Sequence, residues 1–224
     1  MSLRLYPFRQ YSEFDVVNLF ASDTADSLPS TNGNGSAGVF VKVSAGNLDL
    51  DPITYAANSY LGNTDYPFLG AAQYPSVPLT FTAATAGTPV LGLTLNQTLL
   101  TDENGEKLLY NPVKRAELQA VLSGQAVPVA TRGIFTLADT AIDWVDANMV
   151  ANSHLLISAT AGKVSGLSSA STTPNTGQFT FIGRVLGTGT RVSQNGKSDY
   201  FAGTGTAGAK YALVQFDCVN PASI

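Results

Sequence analysis

The stretch Gln125–Leu137, QAVPVATRGIFTL, decides how this chain is read. Val127, Val129, Ile134, Phe135 and Leu137 are its apolar positions, and Thr131-Arg132-Gly133 interrupts them where the chain can turn. The reading is strand, turn, strand: β-branched and aromatic residues suit a pleated surface, and the polar pair with its glycine breaks the run. Two more strand-like runs, Phe179–Leu186 (FTFIGRVL) and Tyr211–Asp217 (YALVQFD), follow across Gly- and Ser-rich connections. Upstream, Asp15–Phe20, Val39–Val43, Val77–Thr82 and Val90–Leu95 read as strands, as does His154–Ala159. Short strands recurring between turn signals predict a mainly β chain, built as a β-barrel or a β-sandwich.

The front of the chain is less regular. Residues 22–38 are polar and rich in Gly, Asn and Ser, and residues 44–74 carry Tyr55, Tyr60, Tyr66 and Tyr74 in loop-like surroundings. This predicts an irregular, loop-rich N-terminal segment over residues 1–75 and a β-domain over 76–224. Residues 1–21 are dense in aromatic and aliphatic side chains, Leu5, Tyr6, Phe8, Tyr11 and Phe14 among them. They are either the first strand and turn of the core or an arm that docks on a neighbouring subunit. An arm predicts that removing residues 1–21 leaves the β-domain folded. Asn104-Gly105, between two apolar runs, signals a hairpin with a type I′ turn. Asn111-Pro112 can start a helical turn, with Asn as cap. Residues 113–122 could continue it, or Glu117–Leu122 could be a strand.

Composition narrows the function. Charged residues are only 12% of the chain and the net charge is −4, which argues against nucleic-acid binding, where clustered Lys and Arg displace counterions. A surface of small polar and apolar side chains is common where much of it is buried in an assembly, and an extracellular β-domain can look the same. No run approaches the length of a membrane span, and no signal-peptide pattern opens the chain, so synthesis in a cytoplasm is expected. Cys218 is the only cysteine and His154 the only histidine. No intramolecular disulfide, Cys-based zinc site or His-based triad can be assembled from them. Asp49, Asp51 and Asp65 lack the spacing of a calcium loop. Gly203–Gly208 matches G-x-G-x-x-G, but a strand follows it where a dinucleotide site needs a helix. The expectation is a protein without cofactor, metal or catalytic residues.

Residues 103–137, ENGEKLLYNPVKRAELQAVLSGQAVPVATRGIFTL, resemble structural proteins of tailed bacteriophages, in particular capsid decoration (cement) proteins. The likeness centres on Val127–Phe135, VPVATRGIF. It extends to Arg9–Ala21 (RQYSEFDVVNLFA), Gly183–Thr190 (GRVLGTGT) and Tyr211–Asp217, in that order along the chain. The resemblance implies a virion protein on the outer capsid surface, partnered by the major capsid protein, trimeric and without catalytic residues. Leu5, Tyr6, Phe8, Tyr11 and Phe14, with Tyr60 and Tyr66, are then the candidate contacts to capsid or subunit. The alternative is a receptor- or carbohydrate-binding β-module of a phage fibre or tail, using the tyrosine-rich loop.

Overall fold

The computed structural model describes residues 4–21, 35–45, 80–99, 101–122, 126–144, 149–167, 181–190 and 210–219. Its frame is a bent two-stranded ribbon. β1 (Leu5–Gln10) and β2 (Val16–Ala21) form one side. β8 (Ala126–Ala130) and β9 (Arg132–Ala138) form the other. β1 pairs antiparallel with β9, and β2 antiparallel with β8. The QAVPVATRGIFTL stretch is therefore not a hairpin. Its two halves run on through a corner, and each finds its partner more than a hundred residues upstream.

Each half of the ribbon belongs to a different sheet. β2 and β8 enter a closed five-stranded barrel in the order β2-β4-β3-β5-β8, where β3 is Phe40–Ala45, β4 Thr80–Ala83 and β5 Gly92–Thr94. One junction, β2 with β4, is parallel. β1 and β9 enter a six-stranded antiparallel sheet, β1-β9-β13-β12-β10-β11. Here β10 is His154–Ile157, β11 Val164–Leu167, β12 Phe181–Thr190 and β13 Lys210–Asp217. The expected β architecture is present as a barrel and an open sheet together. β11 (Val164-Ser-Gly-Leu167) is not among the runs read as strands from the sequence; it is short and pairs antiparallel with β10.

Residues 4–21 are woven into both sheets. The arm reading is thereby corrected: the first two strands are framework, and they pair with strands far beyond residue 75.

Strand alternation sorts the cores. Leu19, Val39, Val41, Phe81, Val127 and Val129 pack together in the barrel. Phe40, one residue out of phase with Val39 and Val41, joins Leu93 and Ala130 in a cluster with Phe135, Leu155, Val214 and Phe216 of the sheet. Phe40 meets Phe216 edge-on at 5.2 Å, and Phe216 stacks on Phe135 at 5.3 Å.

A small satellite lies to one side. β6 (Gln97–Leu99) and β7 (Ala120–Leu122) pair in parallel, and Leu99, Leu108 and Leu122 form a core of their own. The Asn104-Gly105 turn is present, but not as type I′. Only Gly105 has positive φ (+85°), and Asn104 does not. Gly105 N donates to Asp102 O, and Asp102 N to Glu106 O. This is the three-residue loop, a tight turn closed by a left-handed glycine. Asp102 decides it: its Oδ1 accepts from Asn104 N at 2.9 Å and Glu106 N at 2.8 Å. The helical turn α1 (Pro112–Glu117) starts as expected, with Asn111 Oδ1 accepting from Lys114 N. It stops at Leu118, and Gln119 at φ 49° turns the chain into β7.

Candidate functional site

The corner of the ribbon presents the most exposed large apolar side chain among the described residues. Between the pairs Gln10↔Ile134 and Val16↔Ala130, one strand advances six residues and the other four. The surplus is pushed outward as a 3₁₀ turn, Glu13–Asp15, which Ser12 caps by accepting from Phe14 N. Phe14 stands at its apex, 100% exposed.

The base of this turn is fixed. Thr131 N and Thr131 Oγ1 donate to Asp15 O at 2.8 and 3.0 Å. Arg132 Nε meets Asp15 Oδ1 at 2.7 Å, and Cys218 N donates to Thr131 O. Tyr11, exposed on one face, stacks on Phe135 at 5.6 Å with planes 14° apart. An aromatic column thus runs from Tyr11 at the surface through Phe135 and Phe216 to Phe40 in the barrel wall. Gly133 makes the approach possible. Its φ is +150°, and a Cβ there would lie 2.7 Å from Gln10 O and from the Phe135 ring.

The candidate contact residues separate on this frame. Phe8, Tyr11 and Phe14 are exposed. Phe8 falls in a bulge: the chain advances four positions from Leu5 to Arg9 while its partner advances two, from Leu137 to Phe135, and Pro7 sits in the same bulge, where no ladder N–H is required. Leu5 and Tyr6 are each 6% exposed. They are corrected to core residues, turned inward by the pairing of Leu5 with Leu137 and by an edge-on contact of Tyr6 with Tyr211. Tyr60 and Tyr66 lie outside the described residues, as do Asp49, Asp51, Asp65 and Gly203–Gly208.

The sequence reading missed a second exposed apolar group: Leu109, Tyr110 and Val113, on the 3₁₀ turn Leu108–Tyr110 and the start of α1. The run LLYNPV reads as a strand end followed by a helix start, so nothing in it marks outward-facing side chains.

Among the described residues, Asp143, Ser158, His154 and Cys218 have the following surroundings. Asp143 accepts from Ser158 Oγ at 2.5 Å and Thr160 Oγ1 at 3.0 Å, and these hydrogen bonds hold its carboxyl below the usual range. Ser158 is buried, and the His154 ring lies on Phe181 at 4.6 Å. Its turn, residues 158–163, is fastened to the barrel by Ala86 N to Ser158 O, Gly162 N to Ala84 O and Phe40 N to Gly162 O. Burial, with Asp217 nearby, pushes the Cys218 thiol up to about 12, which keeps it protonated and poorly nucleophilic. Among the described residues no group of His, Cys, Asp and Glu is placed to hold a metal ion, and no helix is long and apolar enough to cross a membrane.

The chain matches no family model, no curated protein and no solved structure.

Proposed function

We propose that this chain is a non-enzymatic virion protein that binds the outer surface of a tailed-phage capsid and stabilises the head. Its partner is the major capsid protein, its copies group as a trimer, and it is made in the host cytoplasm before joining the virion. The order of the four likenesses, from Arg9–Ala21 to Tyr211–Asp217, supports the reading.

The structural observation that carries it is Phe14, wholly exposed at the apex of a pinned corner. Burying such a side chain is worth about 1.5–3 kcal/mol. A rigid aromatic anchor gives up little conformational freedom on docking, and a few anchors of this kind dominate most interfaces. Tyr11 and Phe8 extend the same strand-and-turn segment. Repeated over a shell, one modest anchor per contact is enough to clamp neighbouring capsid subunits. The tyrosines that motivate a receptor- or glycan-binding role lie outside the described residues, and no structural observation favours it.

Cosedimentation of the full chain with undecorated capsids from the genome that encodes it tests this. Wild type should pellet with the capsids. Phe14→Ser, unchanged in circular dichroism, should bind at least about tenfold more weakly, a loss of about 1.4 kcal/mol. Wild type left in the supernatant, or Phe14→Ser pelleting equally, would overturn the proposal.

A further inference from the structure

Arg4 carries a charge into the fold with almost nothing to meet it. Its exposure is 6%, and arginine is rarely buried that far unless it is paired. Among the described residues it makes one hydrogen bond, from Nη1 to Gly162 O at 3.3 Å, beyond the usual range. Nε is sealed from solvent and has no partner. The ion pairs among the described residues use Lys114 and Arg132, so no carboxylate there meets Arg4. The other buried side-chain atoms without a partner, on Ser36, Thr98 and Trp144, belong to neutral groups.

The group is held in place. Arg4 O accepts from Ala138 N at 2.9 Å, which fixes its backbone beside β9. Its Cβ packs where Gly38 has none: a Cβ on Gly38 would lie 3.0 Å from it. Gly162 O, the acceptor of Nη1, also accepts from Phe40 N. The guanidinium is thus placed where the sheet, the barrel and the 158–163 turn meet. Burial lowers its pKa, yet a guanidinium does not lose its proton in a protein, so the charge stays. A buried unpaired charge costs more than one long bond returns. For folding alone, an apolar side chain of similar length would serve as well or better.

With Nη1 taken, the remaining edge of the guanidinium consists of Nε and Nη2, whose N–H groups point the same way. Nη2 is not among the sealed atoms, so the edge can be reached from that end. Two parallel donors match the two oxygens of a carboxylate. One negative charge cancels that of Arg4, whereas a doubly charged phosphate would leave one over. We infer that the Nε–Nη2 edge of Arg4 is a binding site for a carboxylate, brought by a dissolved monocarboxylate or by an acidic side chain of a docking partner. The inference is independent of the Phe14 corner, because the site belongs to the free chain.

Formate, titrated into the isotope-labelled full chain, tests this. The Arg4 Nε–H resonance, identified by its absence in Arg4→Lys, should move to saturation with formate and not with chloride at equal ionic strength. Formate should also raise the melting temperature of wild type above its value in chloride, and should not do so for Arg4→Met. Arg4→Lys keeps the charge without the fork and should bind formate at least about tenfold more weakly. It carries the test if Arg4→Met does not fold. Cosedimentation with capsids in formate separates the two sources: weaker pelleting marks a partner's side chain, unchanged pelleting a dissolved anion. An Arg4 resonance that ignores formate, or an equal formate response in Arg4→Lys, would overturn the inference. Wild type that binds formate but never pellets with capsids would count against the Phe14 corner only.

Discussion

Gly133 carries two demands that no other residue type meets together: φ of +150° and backbone and ring atoms 2.7 Å from where a Cβ would be. Gly133→Ala should therefore cost more than the 1–3 kcal/mol, roughly, of backbone strain alone. Urea denaturation should show a lower midpoint, and an unchanged midpoint would mean the corner relaxes freely. Asp143 makes a prediction with a sign. Its folded-state carboxyl is lowered, so its contribution is fully present above the unfolded value of about 3.9 and is lost as pH falls through the lower folded value. Asp143→Asn should be less stable than wild type at neutral pH, and the gap should close below about pH 4. Melting temperatures of both proteins across pH 2.5–7 check this. A gap that persists at acid pH would show that the loss came from packing.

At the scale of elements, the ribbon is the organising unit. β1 and β2 are the first strands in sequence, yet they complete both the six-stranded sheet and the barrel. Removing residues 1–21 would strip β9 of its partner on one side and open the barrel between β4 and β8. The truncated chain should lose its cooperative thermal transition. A truncated chain that melts like the full one would restore the arm. Local runs such as VFVKV, YALVQFD and AVPVA were legible because period-two alternation is written in consecutive residues. Partner choice was not legible. Nothing in TRG tells a corner from a hairpin when the partner strands lie at residues 5–21, and nothing in DVVNLF announces a parallel neighbour in β4. The hairpin at 102–106 was legible in place but not in type, because Asp102, outside the Asn-Gly pair, selects it. Of the candidate contacts, an aromatic-rich terminus was readable as important. Which of its rings face out depended on the bulge at Pro7 and on the two surplus residues at the corner.

At the scale of the molecule, barrel and sheet share one core through Phe40, Phe135 and Phe216, and Phe14, Leu109 and Tyr110, each more than 60% exposed, stand on 3₁₀ turns that leave that core. The Phe14 corner is built on the ribbon, whose two halves belong to the two sheets. A clamp on a shell needs this combination of a stiff body and a few presented anchors. The rupture temperature of capsids with and without bound protein tests this most directly. Saturating wild-type protein should raise the temperature at which capsids break, and Phe14→Ser at the same concentration should not. Capsids that break at the same temperature with and without the wild-type chain would contradict the account.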